Sequence, residues 1–218
     1  MSRYSSLVGR LGILFLVATF PGCGKKDVAP AAAPPAAPPK AAAAEPVCKE
    51  GSKDLRPDGK LKGCTLAQDY VSGPYTCRMN WNIVFHPTGA LKECRLASRV
   101  EVSGVACADN LELYEDGKLR RAKIAETKTF GDVTAFAGEW VTLHPGGALN
   151  RLEIASGTRT LKGFPCSGSE NYFHESGPLK KCTLGAPFEL DGEKLAAGTI
   201  LCFDDQGKRR LPCGAMTP

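Results

Sequence analysis

Ten cysteines stand in this chain of 218 residues, and their chemistry narrows the choices first. A thiolate that ligates metal, exchanges electrons or attacks a carbonyl needs partners held close: a second cysteine at Cys-x-x-Cys spacing, or a histidine and base beside it. No Cys-x-x-Cys occurs here. What remains is the structural disulfide, which persists in oxidising compartments outside the cytosol. The three histidines, His86, His144 and His174, each follow a Phe or Leu and precede a glycine by three residues. Such a column of imidazoles could bind a transition metal or haem. The commoner use of a strand-end histidine is a ring hydrogen-bonded to the turn backbone. A third column is basic: Lys62, Lys92, Arg120, Lys180 and Arg210 each follow a glycine by three, with Arg121, Arg151 and Lys181 alongside. Gathered on one face, these would meet an anionic polymer such as an envelope glycan, lipid phosphates or an acidic protein patch. The bland alternative is a solvated face that guards against edge-to-edge aggregation.

All three columns share one frame, which is a repeat. The glycines Gly59, Gly89, Gly117, Gly147, Gly177 and Gly207 are separated by 30, 28, 30, 30 and 30 residues. Four positions before them stand Leu55, Phe85, Leu113, Leu143, Phe173 and Phe203; two after stand Leu61, Leu91, Leu119, Leu149 and Leu179, with Arg209 breaking the column. Seven after stand Leu66, Leu96, Ile124, Ile154 and Leu184. Three apolar columns in one register do not arise by chance, and repeats of this length signal stacked supersecondary units. Each unit reads as a hairpin: IVFHPTGALKECRL and VTLHPGGALNRLEI place alternating stretches around a Pro/Gly turn, so one sheet face is buried. A further strand is expected in each unit from VSGPYTC, VSGVAC, FGDVTAF and LKGFPC. No stretch after Ala44 carries a capped helical period. The expected fold is all-β: about five tandem antiparallel hairpin units and a closing hairpin over residues 47–218, forming an elongated meander sheet or a β-solenoid, stapled by disulfides.

The DGKL turns at Asp58–Leu61 and Asp116–Leu119 resemble those of the MORN-type and antitoxin-like bacterial repeats, whose units are small hairpins with a Gly-Lys-Leu turn. The resemblance spans residues of roughly 50–211. It implies a meander of stacked hairpins serving as a scaffold or binding surface, and such an implication rests on analogy of fold.

The repeat also prunes the cysteine pairings. Cys64, Cys94 and Cys182 lie five positions after a turn glycine, and Cys48, Cys77 and Cys166 lie sixteen or seventeen residues before them. The expected bridges are Cys48–Cys64, Cys77–Cys94 and Cys166–Cys182, each tying one unit to the next. Cys202 and Cys213 flank Gly207 and complete a fourth. The register after Cys107 holds Ala122 and Lys123, which leaves Cys107 an unpaired thiol. A competing pattern, Cys64–Cys77 and Cys94–Cys107, strands Cys48, Cys166 and Cys213, so parsimony favours the first.

Upstream of the repeat, residues 1–22 carry Arg3 and Arg10, a ten-residue apolar run from Leu11 to Phe20, and Pro21-Gly22. This reads as a secretory signal, too short for a permanent span. With Cys23 next, it resembles a bacterial lipoprotein signal, in which that cysteine is acylated and becomes the new N-terminus. Residues 23–46 are dominated by Pro and Ala and read as a disordered tether of up to roughly 70 Å at polyproline II rise. Formal net charge is +5, too little for a dedicated nucleic-acid binder. There is no G-x-S-x-G, H-E-x-x-H, P-loop or Rossmann glycine pattern. The sequence therefore predicts a non-enzymatic protein without cofactor, lipid-anchored in the bacterial cell envelope. Its partners would be the membrane, through the lipid, and an anionic envelope polymer or another envelope protein. The alternative is a metal- or haem-binding envelope protein using His86, His144 and His174.

Overall fold

A computed structural model describes residues 45–213. The signal segment, Cys23 and the tether up to Ala44 lie outside the described residues, as do 214–218. Among the described residues every regular element is a strand. A 13-stranded antiparallel sheet is crossed in chain order, each main hairpin pairing with the next.

The main hairpins turn where the glycine column falls. In the second unit His86-Pro87-Thr88-Gly89 forms the turn: Gly89 N–H donates to the His86 carbonyl at 2.9 Å, and His86 N–H to that of Ala90 at 2.8 Å. Gly89 sits at φ +84°, a left-handed conformation that penalises any side chain. The other five turn glycines share it, from Gly59 and Gly207 at +78° to Gly177 at +105°. Around the turns, residues alternate between faces. Phe85, Leu113, Leu143, Phe173 and Phe203 are buried, as are Leu91, Leu119, Leu149 and Leu179 opposite them and Leu66, Leu96, Ile124, Ile154 and Leu184 further on. Together they form one continuous core along the inner face.

The four stretches read as single strands fold instead as second, smaller hairpins that cover this core, and a fifth such hairpin, not expected from the sequence, stands at 188–195. Tyr70–Ser72 pairs with Tyr75–Cys77, Lys128–Phe130 with Val133–Ala135, and Phe188–Leu190 with Glu193–Leu195. Val100–Val102 and Thr158–Leu161 pair with the leading ends of the long strands Val105–Leu113 and Phe164–Phe173, whose far ends enter the main sheet. All five turns have two residues. Ser103-Gly104, Lys162-Gly163 and Asp191-Gly192 hold both at positive φ, whereas Gly73-Pro74 and Gly131-Asp132 hold only the first. These are the I′ and II′ geometries whose twist matches that of paired strands.

Disulfides bind the two layers. The structure pairs Cys48 with Cys64, Cys77 with Cys94, Cys166 with Cys182 and Cys202 with Cys213, Cα–Cα distances being 5.6–5.8 Å. These are the pairs that the register picks out. The first three face the core. Cys202 lies on the opposite face, across the ladder from Lys181, so the last bridge folds the C-terminal segment over that face. Cys107 is free and fully buried. Burial pushes its thiol up to about 12.

The two ends of the array differ. Leu55, in the first unit, is 55% exposed, although its column is buried in every later unit. At the other end Arg209 takes the leucine's place and reaches Glu193, a polar closure of the kind terminal repeats need.

Candidate sheet-face binding site

The histidine column resolves into a structural device. His86 Nε2 lies 3.1 Å from the Leu113 carbonyl oxygen, His144 Nε2 3.1 Å from that of Phe173, and His174 Nε2 3.0 Å from that of Phe203. A carbonyl only accepts, so each ring carries its proton on Nε2. In the same position of the other units, Arg56 Nη2 donates to the Phe85 carbonyl at 2.6 Å and Tyr114 Oη to that of Leu143 at 2.7 Å. Five side chains of three chemistries thus perform one task, satisfying the next unit's carbonyl where the ladder between units ends. In the last unit, with no successor, Asp204 stands there and accepts from its own turn, from Gln206 N–H at 3.1 Å and Lys208 N–H at 2.8 Å.

His86, His144 and His174 each serve a separate unit, and among the described residues no three His, Cys, Asp or Glu converge as a metal would require. Nor do Cys107 and a histidine meet. His86 is tied to Leu113, six residues along the strand from Cys107, while the Cys107 Sγ turns to the Val105 carbonyl at 3.3 Å.

The groups that do converge lie on the outer face. The ladder aligns Glu93, Glu112, Arg121, Thr142, Arg151, Tyr172 and Lys181 as direct cross-strand neighbours in one unbroken row. Their neighbours along each strand point into the core, which is why this row faces outward. Beside it Arg120, Asn150 and Lys180 occupy the position three after each turn glycine. Together these residues, Glu93 excepted, line a shallow cleft of about 470 Å³. Aromatic rings brace the bases: the Arg121 guanidinium lies 4.3 Å from the Trp140 ring centre, Arg151 5.5 Å and the Lys181 ammonium 5.7 Å from that of Tyr172.

Carboxylates interleave with these bases. Arg121 reaches Glu153 at 2.9 Å and Glu112 at 3.5 Å, Arg151 reaches Glu153 at 3.3 Å, and Lys181 pairs with Glu170. The Lys181 ammonium holds the Glu170 carboxyl below its ordinary range. Glu93 moves the other way: burial, and then the carboxylate of Glu112 facing it across the ladder, raise its value. Five bases, Arg120, Arg121, Arg151, Lys180 and Lys181, thus stand among three acids, Glu112, Glu153 and Glu170.

Only part of the basic column expected from the sequence belongs to this cleft. Arg120 and Lys180 line it, and Asn150, the break in the column, donates its amide to His144 Nδ1 at 3.2 Å. Lys62 is drawn instead to Asp54 at 2.8 Å, and Lys92 and Arg210 lie outside the cleft. The sequence reading passed over Tyr172, Trp140, Glu112 and Glu153, because their columns mix chemistries: five before the turn glycine, for example, stand Glu112, Thr142 and Tyr172. It also passed over Glu139, buried, which accepts from the Phe136 N–H at 2.8 Å and pairs with Arg159 at 3.0 Å. No family model matches the chain, and neither a curated protein nor a solved structure is significantly similar to it.

Proposed function

We propose that this protein is a non-enzymatic, lipid-anchored component of the bacterial cell envelope that holds out a rigid sheet face as a recognition surface for an anionic envelope polymer. The observation that carries this reading is the outer-face row, in which bases braced by aromatic rings repeat unit after unit on a scaffold fixed by four bridges. Three further features support it. The disulfides suit an oxidising compartment. The leader over residues 1–22, with Cys23 next, resembles a lipoprotein signal. The Pro/Ala composition of the segment that follows suits a spacer from a membrane. Repeat arrays use extended faces of this kind for binding and seldom for chemistry. The histidines, each occupied with a neighbouring carbonyl, lend no support to metal or haem handling.

Labelling with radioactive palmitate tests the anchor. The wild type is expected to take up label and Cys23→Ser to take up none; an unlabelled wild type, or equal label on both, refutes anchoring. Binding of the full-length protein to isolated envelope polysaccharide tests the surface. Binding that weakens as salt rises is expected, since exposed charges are screened beyond a Debye length of about 10 Å at 0.1 M. Failure to bind any acidic polymer overturns the recognition role.

A further inference from the structure

Resting on the recognition role just proposed, we infer that the outer-face row takes a linear acidic polysaccharide bearing one carboxylate per disaccharide, laid across the strands. The row gives both the spacing and the chemistry. Arg121, Arg151 and Lys181 stand on every second strand, with Thr142 and then Tyr172 on the strands between them. Strands lie about 4.8 Å apart, so the bases recur every ~10 Å. That interval matches the length of one disaccharide in an extended sugar chain. A polymer with a carboxylate on every second sugar therefore presents one anion to each base in turn.

The acids of the cleft decide between classes of polyanion. Glu112, Glu153 and Glu170 stand among the bases. A bare chain of phosphates offers them nothing but repulsion. Sugars carry hydroxyl donors between their carboxylates, and Glu side chains accept from hydroxyls. Arg121 and Arg151 are already held by Glu153, and the guanidinium N–H groups that these contacts leave over are donors suited to a carboxylate. Tyr172, half-buried between Arg151 and Lys181, offers a ring against which a sugar's apolar face can lie. Asn150 and Thr142 add neutral polar groups at the same level. Mixed charge, one ring and a strand-spaced period describe an acidic glycan better than a phosphate polymer.

The probe is hyaluronan, which has one carboxylate per disaccharide, as a series of oligosaccharides of increasing length. Polyphosphate and neutral dextran are measured beside it on the immobilised full-length protein. Affinity should climb with each added disaccharide until three carboxylates span the row, as linked weak contacts do. Arg151→Gln should weaken binding at least about tenfold, the equivalent of one charge-assisted hydrogen bond. Tyr172→Ala should weaken it as well. Lys162→Gln, outside the row and paired with Asp132, should bind as the wild type does. Polyphosphate bound as tightly as hyaluronan, or affinity indifferent to length or to Arg151→Gln, overturns this inference while leaving a general polyanion surface standing. Dextran bound equally well refutes charge readout altogether. Absence of binding to every acidic polymer fells both this inference and the role it rests on.

Discussion

Substituting Ala122 by cysteine should create a fifth disulfide, with Cys107. In the ladder Cys48 pairs with Leu66, Cys77 with Leu96 and Cys166 with Leu184, and each bonded partner lies two residues before that leucine. Cys107 pairs with Ile124 in the same way, and two residues before it stands Ala122, fully buried. The third unit therefore keeps the geometry of a bridge and lacks one sulfur. Closing a loop of this size stabilises by about 3 kcal/mol in the chain-entropy account. For a domain of this size, 1 kcal/mol raises the midpoint by about 2–4 °C, so the gain is roughly 6–12 °C. Thermal unfolding of Ala122→Cys with and without a strong reductant, with thiol counting, measures it. The oxidised variant should lose its free thiol and gain the stability; one that keeps two free thiols, or bridges and melts at a lower temperature than the wild type, would refute the shared register.

Three other outcomes follow from the same structure. Tyr114→Phe keeps the ring and removes the donor to the part-buried Leu143 carbonyl, so urea unfolding should show a loss of about 0.5–1.5 kcal/mol, the net contribution of one hydrogen bond. Glu93→Gln should stabilise the protein at neutral pH: its folded value is raised, so the native state holds the proton more tightly than the unfolded chain and loses stability as pH climbs through the carboxylate range. Below that range variant and wild type should unfold alike, and a benefit that persists there counts against the explanation. Cys107, its thiol pushed up to about 12 by burial, should resist iodoacetamide at pH 8 in the native protein and react on unfolding; ready native labelling would contradict its burial.

The fold was largely legible because apolar spacing carries it. The columns ending in Leu66, Leu96, Ile124, Ile154 and Leu184 are buried because a two-residue alternation leaves them no other face. The cysteine register was legible for the same reason. The small hairpins were not recognised, though Ser103-Gly104, Lys162-Gly163 and Asp191-Gly192 marked their turns, because stretches of three residues on either side show almost no period. The carbonyl-capping role of His86, His144 and His174 was hidden by chemistry: Arg56 and Tyr114 fill the same position, and the acceptors lie 27 to 29 residues away. The binding row was legible only in its bases, Arg121, Arg151 and Lys181, four after their turn glycines; Glu112, Thr142 and Tyr172, five before the glycines, share a register but no chemistry, so nothing marked them until the pairing set them between the bases. Asn171 shows the limit of pattern alone. It stands in a column that elsewhere holds Ile83, Leu111, Val141 and Leu201, yet it is fully buried. Its amide donates to the Leu152 and Gly168 carbonyls, at 3.1 and 2.7 Å, where the strand bulges.

A non-reducing peptide map of the purified protein tests the repeat frame most directly, since the pairing, the two-layer fold and the outward row all depend on it. The map should show Cys48 joined to Cys64, Cys77 to Cys94, Cys166 to Cys182 and Cys202 to Cys213, with Cys107 recovered as a thiol. Peptides joining Cys64 to Cys77 or Cys94 to Cys107 would contradict it.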